Sequence, residues 1–370
     1  MSQMNFSMAN ISNISKISVH QKPEAFTFSA QTKVMLFSIL LVWSLLGNVL
    51  VIAIVILNKN LRTNFNCLIV NMAVSDLFIP LLILPLKIVQ ETNGPDWLVD
   101  GPLGEALCKL VYFLTDISPL VSILSLVIIT VNRFVSITYP MKIGVLRGKT
   151  SWVLLAFTWI APMALLSPYF YTFRLLKKNG ITHCISLWTP AFDDLAARTI
   201  FITVVIVVAF LVPLTAILIL YSLMLYQLKK SSDKVIHMLN NRQLLFRQRR
   251  NKQIFYFCIA IIASFICFLG PFFCFMFVLN FVWRWDFKGK VVKIRTILFV
   301  VQFLAHLNPA INPCIYFLFL KDYRKGLRRL LVDSKRKPTS ILLRRRKSTK
   351  ISTLLEYFPL GKVRNKSTSV

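Results

Sequence analysis

One stretch decides the architecture of this chain: CKLVYFLTDISPLVSILSLVIITVNRFVSITYP, residues Cys108–Pro140. It opens on a cysteine, stays apolar through its length, and closes on Asn132-Arg133-Phe134 before Tyr139-Pro140. As a helix rising about 1.5 Å per residue, it sets Cys108 and Arg133 about 38 Å apart. That exceeds the roughly 30 Å hydrocarbon core of a bilayer, so the cysteine belongs at one membrane face and the arginine at the other. A single acid, Asp116, interrupts the run, and a charge inside a membrane helix turns toward protein or water rather than lipid.

The rest of the chain repeats the theme. Hydrophobic residues make up 56% of it and charged ones 16%. They gather into seven runs, at 34–57, 67–86, 110–131, 151–173, 199–228, 253–283 and 296–320, with Asp76 and Asp116 as the acids within them. Only helices satisfy their own backbone in lipid at such lengths. The expected fold is an all-α membrane protein, a bundle of seven transmembrane helices spanning residues 34–332. A tail precedes it at 1–33, and a basic, disordered tail follows at 333–370. The first 33 residues lack the apolar core of a cleaved signal, so the first span is expected to direct insertion. By orientation, the connections after spans one, three and five and the C-terminal tail carry about 30 of the 44 Lys and Arg residues, and positive charge stays cytoplasmic. The N-terminus is then extracellular, and the +30 net charge is an attraction to anionic lipid and cytoplasmic partners rather than to nucleic acid.

That orientation gives several residues a compartment. Asn5, Asn10 and Asn13 each begin an Asn-X-Ser sequon on the outer side and are expected to carry glycans. The segment TFRLLKKNGITHCISLW reads as a β-hairpin turning at Asn179-Gly180. Its second arm holds Cys184. Cys108 and Cys184 are the cysteines outside the apolar spans and their cytoplasmic ends, so a disulfide between them is expected. Pro271 should kink the sixth span. KDYRKGLRRLL, from Lys321, reads as a short amphipathic eighth helix on the inner membrane surface.

Taken in order, these motifs resemble the class A (rhodopsin-like) G-protein-coupled receptors, and neuropeptide receptors most. They are Gly47-Asn48, Asp76 in an SDL triplet, Cys108 one long helix before Arg133, Trp159, Pro213 with Tyr221, Pro271, and Asn312-Pro313-Cys314-Ile315-Tyr316. The resemblance implies a plasma-membrane receptor that binds an extracellular ligand, activates heterotrimeric G proteins and is a candidate for arrestin. It implies that Arg133, beside Asn132, engages the G protein, that Tyr221 and Tyr316 meet in the active state, and that Asp76, Ser122, Asn308 and Asn312 can hold a sodium ion.

Departures from the pattern narrow the reading. Asn132 replaces the usual acid beside the arginine, which should relax the inactive state. Leu269 stands where many members have tryptophan. His306 occupies the position of the opsins' retinal-binding lysine, so no retinal is expected, and Thr115 stands where amine receptors carry aspartate. Thr115, Asp116, Leu269 and His306 are the pocket candidates. With the long hairpin and a basic third outer loop (Arg284, Lys288, Lys290, Lys293, Arg295), they favour a peptide ligand carrying acidic groups or a free carboxylate; the alternative is an amine or lipid. A transporter or channel would show internal repeats, and four scattered histidines offer no catalytic constellation, so an enzyme is not expected. The ending Ser367-Thr368-Ser369-Val370 fits a PDZ ligand, with Thr368 and Val370 as its reading positions.

Overall fold

A computed structural model describes residues 28–94, 96–138, 149–178, 180–235, 242–286 and 291–335. The sequons, the PDZ-type ending and most of both tails lie outside them. Seven helices are long and apolar enough to span a membrane: α1 (Ala30–Leu57), α2 (Asn64–Asn93), α3 (Gly101–Ser136), α4 (Lys149–Thr172), α5 (Asp194–Gln227), α6 (Phe255–Val282) and α7 (Lys293–Phe319). A further helix, α8 (Lys321–Lys335), follows α7. Between α4 and α5 lies an antiparallel hairpin of β1 (Phe173–Lys178) and β2 (Ile181–Ser186).

The helices outrun their apolar stretches. α1 begins at Ala30, inside the expected tail, because the Ser29 hydroxyl caps it by accepting the Thr32 N–H at 3.1 Å. α2 continues past Leu86 to Asn93, and α8 runs to Lys335, beyond the expected boundary at 332. Hydropathy marks the part of a helix that lies in hydrocarbon, whereas caps and packing decide where it ends. Prolines leave their mark inside the spans. π-type segments occupy Ile79–Ile83, around Pro80, and Ile206–Leu211, just before Pro213, where a widened turn absorbs a missing backbone donor. Pro271 lies inside the sixth helix and withholds the amide that would close its turn.

Inside the bundle, polar side chains pin helix to helix. Asn48 of α1 donates to the Pro309 carbonyl of α7 at 3.1 Å. Gly47 beside it lets the helices close, since a Cβ there would lie 2.9 Å from Pro313 Cγ. Asn71 of α2 donates to Ser125 of α3 at 2.9 Å and Thr158 of α4 at 3.0 Å, and accepts from Trp159 Nε1 at 2.8 Å. The motif residues of the first, fourth and seventh spans are thus joints between helices. Trp43, Leu46, Val153, Ile160 and Ile219, by contrast, are exposed apolar side chains suited to lipid contact. At the far end, Gly326 brings α8 under α1, where a Cβ would meet Ile54 Cγ2 at 2.5 Å. Tyr323 is buried there.

The hairpin has the expected turn. Lys178 pairs with Ile181 across the turn, and Gly180 takes φ +81°. Cys184 is disulfide-bonded to the buried Cys108 of α3, with Cα atoms 5.7 Å apart. Phe173 stacks on Tyr112 of α3 at 5.0 Å. A polar tether adds to the bond: Trp97 N–H donates to the Thr182 carbonyl at 2.7 Å, the Thr182 hydroxyl donates to Asp100 at 2.5 Å, and Lys177 pairs with Asp100 at 3.0 Å. The Thr182 hydroxyl and then Lys177 hold the Asp100 carboxyl below its ordinary 3.8. A depressed carboxyl stabilises the tether at pH above 3.8 and releases it only as pH falls through the lowered value. The five remaining cysteines are free, as expected.

Cys108→Ser or Cys184→Ser should therefore unseat the hairpin and sharply lower surface expression, since loss of a native disulfide removes about 2–5 kcal/mol. Flow cytometry with an N-terminal epitope tag measures this; wild-type surface levels in both variants would refute the tether.

Candidate functional site

Beneath the hairpin, α2, α3 and α7 leave a cavity of about 10 Å³, close to what one water needs. Ile83, Lys87, Tyr112, Thr115, Asp116, Gln302 and His306 line it. Three of the four pocket residues expected from sequence are therefore present. Asp116 accepts a hydrogen bond from the Tyr169 hydroxyl of α4 at 2.7 Å. Thr115 turns its hydroxyl back onto the Val111 carbonyl at 2.6 Å. His306 is buried, and among the described residues neither ring nitrogen has a hydrogen-bond partner. Leu269, the fourth, is buried in an apolar core with Tyr221, Phe257 and Phe265. A leucine lacks the reach and the N–H of the tryptophan usual there, so it packs instead.

Sequence reading missed Lys87 and Gln302. Lys87 comes directly after an apolar run and reads as the first residue of a loop, but α2 continues past it and carries it along the cavity wall. Its neighbouring carboxylates have other partners: Glu91 pairs with Lys33 at 3.1 Å, and Asp116 accepts from Tyr169. Away from this lining, α5 and α6 are clamped together. The Arg198 guanidinium lies 5.1 Å from the Trp285 ring centroid and bonds Asp194 at 2.5 Å. Trp285 Nε1 donates to Asn280 Oδ1 at 3.2 Å, and Asn280 donates back to the Thr199 carbonyl of α5, also at 3.2 Å.

Below the cavity, at mid-bundle, Asp76 is 1% exposed. Ser122 donates to its Oδ1 at 3.0 Å and Ser118 at 3.5 Å, while Asn312 donates to Oδ2 at 2.8 Å. Three of the four residues expected to form this cluster are thus directly bonded. Asn308, the fourth, is buried with its side-chain oxygen unpartnered among the described residues. One carboxylate and several neutral oxygens make a set of hard donors that suits a small monovalent cation better than a soft metal.

At the Arg133 end, the acid usual beside the arginine is absent and an aromatic ring takes part instead. The Arg133 guanidinium lies 4.7 Å from the centroid of Phe65, at the start of α2. Phe65 packs edge-on against Phe257 of α6 at 5.8 Å. Asn132 accepts through its backbone carbonyl from Ser136, at 2.7 Å. Tyr221 packs on Phe255 and Tyr316 on Phe257, at 5.3 and 5.8 Å. Both tyrosines therefore contact α6, and among the described residues no ring contact joins them to each other. Phe65 was not singled out from sequence, where one phenylalanine at a helix start carries no signal.

Comparison with known proteins agrees with this geometry. Residues 47–316 match the family model of the 7 transmembrane receptor (rhodopsin family). Among similar proteins, a QRFP-like peptide receptor of Branchiostoma floridae is 26% identical, over 84% of this chain and 80% of its own length. The neuropeptide FF receptor 2 of Mus musculus is 26% identical, over 83% of this chain and 73% of its own length. The pyroglutamylated RF-amide peptide receptor of the same organism is 25% identical, over 76% and 66%. A cavity under a disulfide-tethered hairpin, a mid-bundle aspartate and an arginine at the opposite end are thus arranged as seven spanning helices, and the chain belongs to the rhodopsin family of seven-transmembrane receptors.

Proposed function

We propose that this chain is a cell-surface neuropeptide receptor, its hairpin end extracellular, that signals through heterotrimeric G proteins engaged at the Arg133 end. One observation carries the reading. α3 joins the two ends: it is disulfide-bonded to the hairpin at Cys108, lines the cavity with Thr115 and Asp116, and presents Arg133 about one membrane thickness away. The names of its relatives support a peptide, as does the long hairpin. His306 carries no side-chain amine, so retinal attachment has no support here. Cells expressing the chain, challenged with a panel of secreted peptides, should show ligand-dependent nucleotide exchange on a G protein. Ion flux with no G-protein response would instead favour a transporter.

The Asp76 cluster then has a regulatory role. Bound to Asp76, with Ser122, Asn308 and Asn312 around it, a sodium ion would stabilise the closed arrangement, because an ion shifts an equilibrium only by its differential affinity. Agonist affinity is expected to fall as sodium replaces a bulky organic cation at constant ionic strength, and Asp76→Asn should abolish that dependence. Wild-type agonist affinity unaffected by sodium would make Asp76 purely structural.

The Arg133–Phe65 contact sets basal signalling. Cation–π attraction is worth about 0.5–2 kcal/mol, similar to what a charge-assisted bond adds over a neutral one. Phe65 and a restored acid should therefore act in the same direction. Phe65→Leu, which keeps an apolar side chain and loses the ring face, should raise agonist-free signalling about two- to thirty-fold at matched surface expression. Asn132→Asp should lower it. Basal activity unchanged in Phe65→Leu would mean that packing alone holds Arg133.

A further inference from the structure

Lys87 and His306 face one cavity as polar groups that the described residues of the helix bundle leave without a direct partner, and Gln302 lies beside them. Lys87 is a half-buried ammonium on the cavity wall that, among the described residues, forms no ion pair. The carboxylates that could neutralise it are engaged elsewhere, Glu91 by both its oxygens with Lys33 and Asp116 with Tyr169. His306, 1% exposed, faces the same cavity with both ring nitrogens unpartnered. A neutral imidazole presents one N–H donor and one acceptor, and Gln302 adds an amide. Buried polar groups are normally satisfied, so the exceptions need a partner. An ammonium and an N–H donor in a low-dielectric pocket together call for an anion with two acceptor oxygens.

Resting on the neuropeptide reading, we propose that this cavity selects a ligand carboxylate, held by Lys87 and His306, where a neutral amide would give the ammonium no direct ion-pair partner. The carboxylate comes either from the C-terminus of the peptide or from an acidic side chain. Two of the relatives described above are named for RF-amide or neuropeptide FF ligands; here the charge on the cavity wall would reverse the preference from amide to acid.

Small probes test the site without the natural peptide. The purified full-length receptor is heated with millimolar N-acetylphenylalanine, N-acetylphenylalaninamide, N-acetylaspartyl amide or N-acetylasparaginyl amide, and its midpoint of unfolding is recorded. At least one acid should raise the midpoint by about 2 °C and its neutral counterpart should not. A response to the first acid identifies a terminal carboxylate, and a response to the third an acidic side chain. Lys87→Gln should lose the response, and Lys87→Arg, which keeps the charge, should retain part of it. In cells, any activating peptide should lose at least about ten-fold in potency when its carboxylate is amidated. Equal shifts from acids and amides, no shift from any probe, or an undiminished response in Lys87→Gln would overturn the proposal and leave Lys87 reaching to water. A panel in which no peptide signals would instead refute the neuropeptide reading, and the probe results would still stand by themselves.

Discussion

Hydrocarbon offers no hydrogen bonds, and every feature of this bundle follows from that. Each backbone N–H and C=O must find its partner within its own helix, so the helices take shape independently and something else must join them. The joints are side chains of the most polar kind the interior tolerates: Asn48 to α7, Asn71 to α3 and α4, Asp76 to α3 and α7. In water such bonds would contribute little beyond those made to solvent. Here the alternative for each group is an unsatisfied dipole, and leaving one buried costs about 1–3 kcal/mol. Specificity of the helix arrangement is therefore concentrated in a few amides and one carboxylate, while Leu, Ile, Val and Phe fill volume around them.

The same constraint explains what could be read in advance. Span number, hairpin, disulfide and the polar positions Asn48 and Asp76 were legible because each is an exception to its surroundings: a polar residue in an apolar run, an Asn-Gly between strand-like arms, a cysteine outside the spans. Functional residues that conform to their surroundings were not. Phe65 is one apolar residue among many, and its meaning comes from Arg133 lying over its face, a contact between positions remote in sequence. Lys87 looked like the expected end of a membrane run, because apolarity stops there while the helix does not. Gln302 gave no signal in a helix already rich in polar positions.

The two ends of α3 are held in contrasting ways, and the contrast suits a receptor. At the hairpin end the hold is covalent and layered, with the disulfide, the Phe173–Tyr112 stack and the Asp100 tether. That end can serve as a fixed reference against which a ligand bears. At the Arg133 end the hold is a set of ring contacts, guanidinium on Phe65, Phe65 on Phe257, Phe257 on Tyr316, and Tyr316 on Tyr323 at 6.1 Å. Each such contact is worth about 1 kcal/mol and needs no bond to break. Phe257 touches both Phe65 and Tyr316, so an outward shift of α6 would loosen the ring on which Arg133 rests and uncover Tyr316 in one movement.

Between those ends, α7 carries the coupling. His306 lines the cavity and Asn312 bonds Asp76, under two helical turns away on the same helix. Pro309 lies between them, and its carbonyl accepts from Asn48 of α1. A ligand that draws His306 toward the cavity therefore acts on a segment whose regular hydrogen bonding is already interrupted by proline and whose next polar contact is the mid-bundle carboxylate. Because linkage is reciprocal, if ligand binding at His306 loosens the Asp76–Asn312 contact, whatever strengthens that contact opposes the ligand by the same free energy. The cavity and the Asp76 cluster are in this sense one device, joined by a single proline-broken helix, with the acid at its centre deciding how readily the rest can move.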